Sequence, residues 1–446
     1  MANENVPVSL GTENIGKLLT QYAVPAIIAM TASSLYNITD SIFIGHGVGP
    51  MALGGLAITF PLMNLAAAFG SLVGVGASTL LSIRMGQKDY ETANTILGNV
   101  FALNLIMGIS FSVIMLIFLE PILIFFGARN EMLGYAKEFM VVILSGNVVT
   151  HMYLGLNALL RSSGSPKRAM MATIFTVLIN LVLNPLFIFG FKWGIRGSAC
   201  ATIISQIIVL IWQIRLFSDK NYFIHLKKGI YKLRKNIVVD SFSIGLAPFL
   251  MNAAASLIVI LINQQLLRHG EDLSVGAYGI VNRIAFLFVM IVIGLNQGMQ
   301  PIAGYNYGAK LYPRVITVLK KTILFATIVM TIGFTIVQLF PYQVASIFTT
   351  ERRLIDVAVP GLRWVFAIYP LVGFQMVSSA FFQSIGKPNK AIILSMVRQV
   401  FLLIPFLLIL PNYLGVNGVW VSITISDFLS VILAAVLLTI ELRKKL

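Results

Sequence analysis

The sequence predicts an all-α polytopic membrane protein, and three observations carry that prediction. Of 446 residues, 58% are hydrophobic and only 11% are charged, where a soluble chain carries about 25% charged residues. The apolar residues gather into runs long enough to cross a bilayer, which takes about 20 residues. Basic residues fall mainly on one side of those runs. Reading in order, spans fall at 16–43, 52–83, 94–118, 132–160, 168–190, 197–217, 240–266, 275–304, 319–346, 357–384, 391–411 and 417–440. Several are longer than a bilayer needs, so tilts or kinks are expected.

The basic residues orient this layout. Twenty-two Lys and Arg fall on one side, seven on the other and three within spans. Because Lys and Arg accumulate in cytoplasmic loops, both termini are expected in the cytoplasm, with the chain multi-pass in the inner or plasma membrane. The same asymmetry accounts for the net charge of +16 without invoking nucleic acid, for which no motif is present. The polar stretch 1–13 leads into a run too long for a signal-peptide core. A single cysteine, Cys200, excludes an internal disulfide and offers no metal pair.

The chain repeats itself. Pro25 in AVPAII matches Pro248 in LAPFLM, and GVGASTLLSIRMGQKDY (74–90) matches GLNQGMQPIAGYNYGAK (294–310). SSGSPKRA (162–169) matches SIGKPNKA (384–391), and WGIRG (193–197) matches LGVNG (414–418), all at an offset close to 222. Twelve transmembrane helices are therefore expected in two six-helix bundles related by pseudo-two-fold symmetry along the membrane normal. The domains read as an N-terminal six-helix lobe over 1–217, a basic cytoplasmic connector over 218–239 and a C-terminal six-helix lobe over 240–446. Parallel repeats of this kind build transporter lobes around a shared cavity. The connector itself reads as a solvated segment facing lipid headgroups.

Asp40 is the one carboxylate embedded in the first span, 23 residues past Lys17, or roughly 35 Å along a helix at 1.5 Å per residue. That places it in the outer part of the span. Two readings are open: a carboxylate snorkelling to the interface, or an acid facing an ion or substrate path, as intramembrane charges usually do. Its counterpart under the repeat is Asn263, so the acid is not needed to build a lobe. That comparison favours a functional acid.

These features resemble multidrug and toxic compound extrusion (MATE) transporters. The resemblance rests on the repeat, on Asp40, on MGQKDYETA closing a Gly-rich second span, on NPLFIFG at 184–190, on the GSPK and GKPN turns, and above all on QGMQPIAGYNYGAK at 297–310. It covers roughly 14–440. It implies export of lipophilic, often cationic small molecules, driven by inward flow of protons or sodium ions, by a monomer with no cofactor. The family's amino-terminal cation site falls on Asp40, Asn180, Asn184 and Thr202. Asn184 departs from the pattern, since many relatives carry a carboxylate there. Where some members carry a second acid after the helix 7 proline, this chain has Ser256, so no such site is expected in the second lobe.

The residues support a second reading of the two amides. Asn180 and Asn184 are four apart and share one helix face, which suits interhelical hydrogen bonding as well as a cation shell. Pro185 lacks an N–H and frees the carbonyl of residue 181. Tyr36, Asn37, Asn64, Gln297, Gln300 and Gln383 are candidates for a cavity lining, with Arg283 as a cavity charge that repels cations when Asp40 is neutral. Arg398 and Asp427 are expected to pair inside the second lobe, since a lone intramembrane charge is expensive. His151 reads as a hydrogen-bonded packing residue and Arg363 as a snorkelling one.

Three functions compete. Secondary efflux of drugs and xenobiotics by alternating access, with the drug resistance it confers, comes first. Flipping of a lipid-linked saccharide would call for extra helices and a strongly cationic cavity. A membrane-embedded enzyme would need a nucleophile–base or metal constellation. With four His, one Cys and neither HExxH nor GxSxG, none is visible, and the chain is read as not an enzyme. On the coupling ion, one carboxylate with neutral oxygens favours the proton over sodium, because burial favours the neutral form of an acid and sodium gains from a second anionic ligand.

Overall fold

The computed structural model describes residues 9–445, and among them the chain is helical with no strand. The principal helices are α1 (Ile15–Gly47), α2 (Pro50–Gly86), α3 (Tyr90–Ile117), α4 (Asn130–Ser145), α5 (Asn147–Ser162), α6 (Pro166–Pro185) and α7 (Gly194–Ser218). Then follow α8 (Lys235–His269), α9 (Asp272–Gly308), α10 (Tyr312–Leu339), α11 (Arg352–Phe366), α12 (Tyr369–Ser384), α13 (Pro388–Met396), α14 (Ile404–Ile409) and α15 (Val416–Lys445). Among the described residues ten helices are long and apolar enough to cross a membrane, and up to twelve if each bent pair is one span.

The bent pairs refine the sequence reading. The spans expected at 132–160 and 357–384 are broken by 55° between α4 and α5 and by 54° between α11 and α12. Gly146 sits at the first break and Pro370, which lacks an N–H, just after the second. Proline also leaves its mark in α6. Past Pro185 the helix widens into a π-helical turn, Leu186–Gly190. The helix of 388–414 does the same over Val397–Leu403, ahead of Pro405. π-helical turns often mark functional sites.

The chain folds as two compact units. The first comprises the described residues up to Glu13, Ile28–Phe249 and Gly304–Lys310. Its core joins Ile44, Leu56, Phe111, Phe139, Leu144 and Ile203. Within it α2 and the start of α8 cross at backbone contact: a Cβ on Gly76 would lie 1.9 Å from the Ser241 carbonyl oxygen, and one on Gly245 would lie 1.8 Å from that of Leu72. Only glycine allows two helices so close. Asn306 also reaches back in this unit, donating to the Leu10 carbonyl at 2.9 Å.

The second unit comprises Asn14–Ile27, Leu250–Ala303 and Leu311–Leu446. Within it Gly294 and Gly298 of α9 press on the backbone of Ile27 and Ala23 in α1. Trp420 is fully buried beside Gly361. Two charged groups are buried and paired here. Arg398 Nε donates to Asp427 Oδ1 at 2.5 Å, the pairing expected from sequence. Glu441 accepts from Lys387 and, at 2.6 Å, from Lys390.

Candidate cation site

Three helices of the first unit each offer two polar side chains four residues apart, hence on one face. α1 carries Tyr36 and Asp40, α6 carries Asn180 and Asn184, and α7 carries Ser198 and Thr202. The three faces converge. Asn184 Nδ2 and Ser198 Oγ both donate to Asp40 Oδ1, the latter at 2.5 Å. One turn away, Asn180 Nδ2 donates to Thr202 Oγ1 at 3.3 Å, and the Tyr36 hydroxyl lies 2.7 Å from that same oxygen. Asn184 Nδ2 is 3.5 Å from Asn180 Oδ1 and links the two layers.

All of these but Tyr36, which is half-buried, are buried, Asp40 at 8% exposure. Among the described residues no Lys, Arg or His pairs with Asp40. An intramembrane carboxylate held only by neutral donors is costly in its charged form and rewards any cation that joins it. The site has an idle oxygen for that purpose: Asn184 Oδ1 is buried and meets no hydrogen-bond donor. Asp40, the amide oxygens of Asn180 and Asn184 and the Thr202 hydroxyl form an all-oxygen donor set, the chemistry that a hard cation prefers. A proton needs Asp40 alone. Among the described residues there is no cluster of three or more His, Cys, Asp or Glu.

The four residues expected at a cation site thus lie in one cluster. Ser198 was not among them, although its place four residues before Thr202 was legible. Tyr36, expected as cavity lining, is drawn to Thr202. Asn37 and Asn64 are exposed in the first unit. The other expected lining residues belong to the second unit, where Arg283 is exposed and Gln300 is buried. Gln297 and Gln383 are partly buried there. His151 is fully buried and bonded through Nε2 to the Ala66 carbonyl at 2.9 Å, the packing role expected of it.

Long apolar helices around a buried polar cluster of this composition define a multi-pass membrane protein with a candidate site for a small cation. The MatE family model matches residues 25–186 and 246–409, and the chain belongs to that family of transporters. It is 26% identical over 430 residues to the multidrug export protein MepA of Staphylococcus aureus, covering 96% of this chain and 94% of that one. It is 25% identical over 433 residues to MepA of Staphylococcus saprophyticus, covering 97% and 95%. Among solved structures, an outward-facing multidrug resistance MATE family transporter superposes with a TM-score of 0.92 at 26% identity, covering 99% of each chain. A MOP superfamily transporter from Pyrococcus furiosus superposes with a TM-score of 0.90 at 26% identity, covering 96% of each.

Proposed function

We propose that this protein is a secondary antiporter that exports lipophilic, cationic small molecules from the cell in exchange for protons. The observation that carries the reading is Asp40, buried among neutral donors with no cationic partner among the described residues. An acid so placed takes up a proton from the outside and releases it inside, and each change of charge alters what its neighbours can stably hold. Tyr36, Asn180, Asn184, Ser198 and Thr202 orient it and supply oxygens. Relatives along nearly the whole chain are named for multidrug export, which supports the substrate class. The internal repeat supports alternating access by two lobes about the 218–239 connector, in a monomer with both termini in the cytoplasm.

The preference for protons follows from the single carboxylate. Sodium needs enough negative charge to replace its hydration shell, and Asn184 leaves the site with one anion. The test is efflux of a fluorescent lipophilic cation from proteoliposomes under an imposed pH gradient, then under a sodium gradient at clamped pH with the membrane potential collapsed. Proton-driven efflux that Asp40→Asn abolishes, in a protein still folded and inserted, is the expected result. Uphill export by Asp40→Asn at the unaltered rate overturns the mechanism, and efflux on sodium alone overturns the choice of ion.

A further inference from the structure

The segment ahead of α8 is clamped to the first unit by two asparagines of α3. Asn99 Nδ2 donates to the carbonyls of Ile230 and Lys232, each at 3.1 Å, while its Oδ1 accepts from the Arg234 N–H at 2.8 Å. Asn94 Oδ1 accepts from the His225 N–H at 3.1 Å. This clamp fixes the first turn of α8 beside the last turn of α2 and the first of α3. Between them lies a pocket of 390 Å³ whose lining includes Arg84, Thr92, Arg234, Lys235, Asn236 and Asp240.

We propose that this pocket binds the phosphate of a phospholipid headgroup. Three cations and one carboxylate line it. Arg84 is only partly engaged: its NH1 lies 3.3 Å from Gln87 Oε1 and 3.7 Å from Asp89 Oδ2, while its Nε is buried with no hydrogen-bond partner. A buried guanidinium nitrogen without an acceptor is costly, and a phosphate oxygen would satisfy it. Asp89 does not compete fully, because its Oδ1 already accepts from the Thr92 N–H at 3.2 Å. Arg234 meets Glu91 at 3.4 Å in a pair whose side chains are both at least half exposed. Exposed pairs of this kind are weak, so Arg234 stays available. Lys235 pairs with no carboxylate among the described residues. The first turn of α8 adds N–H groups that lack intrahelical acceptors, and no acidic side chain occupies that turn.

Two features favour a lipid over a soluble phosphate. The pocket is built from the ends of three membrane-spanning helices, where headgroups lie. It also contains Asp240, an acceptor that suits a headgroup with hydrogen-bond donors beside its phosphate. Ethanolamine and glycerol headgroups have such donors, whereas the methylated nitrogen of choline has none.

The test uses the purified full chain with phosphatidylethanolamine, phosphatidylglycerol or phosphatidylcholine, with retained lipid counted by native mass spectrometry. Titration calorimetry with inorganic phosphate forms a second arm. The first two lipids should be retained at least fivefold over phosphatidylcholine. Arg84→Gln combined with Lys235→Gln should remove that excess, and Asp240→Asn should erase the preference for ethanolamine over choline. If the double variant does not fold, Lys235→Gln alone, at an exposed position, should halve retention. Saturable heat from inorganic phosphate, lost in Arg84→Gln, with no discrimination among lipids, supports the phosphate site and assigns it a soluble ligand. Equal lipid retention by the unaltered protein and the variants, with no phosphate heat, overturns the proposal.

Discussion

Ser198 on α7 donates its hydroxyl hydrogen to Oδ1 of Asp40 on α1, across 158 positions of sequence. Together with Asn184 it gives the carboxylate two neutral donors, and among the described residues no cation pairs with it.

Removing one donor should be felt directly. A hydrogen bond to a charged group contributes about 1.5–3 kcal/mol. Ser198→Ala is expected to slow gradient-driven efflux about tenfold, the equivalent of roughly 1.4 kcal/mol. Ser198→Thr, which keeps the hydroxyl, should retain most of the rate. Proteoliposome efflux of the two variants side by side decides it, and equal rates would show that the bond is incidental.

A second carboxylate should change the ion. Asn184→Asp places an acid beside Asp40 and doubles the anionic charge available to a metal cation. Sodium-driven efflux is expected to rise in this variant relative to proton-driven efflux. The measurement is the ratio of initial rates under the two gradients, and an unchanged ratio would remove Asn184 from any role in ion choice.

The crossing of α2 and α8 should be intolerant of a methyl group. A Cβ on Gly245 would lie 1.8 Å from the Leu72 carbonyl oxygen, whereas one on Gly134 would meet nothing within 4 Å. Overpacking costs about 1–3 kcal/mol. Gly245→Ala is expected to lower the melting temperature by several degrees in detergent, with Gly134→Ala unchanged. A melting temperature unaffected in both would mean that the helices separate at no cost.

The pair in the second unit should behave as a pair. Breaking a buried ion pair by removing one partner costs about 3–5 kcal/mol. Asp427→Asn and Arg398→Gln are each expected to destabilise the protein strongly. The combined Arg398→Met, Asp427→Leu should be more stable than either single variant. Thermal melts of the three variants check this, and additive losses in the combined variant would deny the coupling.

Much of this was legible in the chain. The apolar runs located the helices because bilayer length sets their size, and the partly buried pair of Arg398 and Asp427 followed from the cost of a lone charge. The helices nonetheless outrun the apolar stretches: α10 begins at Tyr312, ahead of the span expected from 319. Hydrophobicity reports where lipid begins, while the backbone hydrogen bonds continue into water. The breaks at Gly146 and before Pro370 were invisible as bends, because a glycine or proline permits a kink without requiring one. Ser198 escaped notice because a serine in an apolar helix commonly bonds its own backbone, as Ser205 does to the Thr202 carbonyl at 2.8 Å. Only the approach of α1 redirects it. The pocket at Arg84 was illegible for a similar reason, since the Asn99 clamp that builds it joins residues 131 or more positions apart.

The start of α1 has a further consequence, for the making of the protein rather than its operation. Ala23 and Ile27 belong to the second unit, and the glycines they pack on, Gly298 and Gly294, come more than two hundred residues later. At about 5–20 residues per second of synthesis, a ribosome reaches those glycines on the order of ten seconds to a minute after the first helix has emerged. Throughout that interval Ala23 and Ile27 lack the two glycines that cover them in the finished protein. A nascent chain stalled before α9 is complete would therefore leave that face of the first helix uncovered, to be met by lipid or by the insertion machinery.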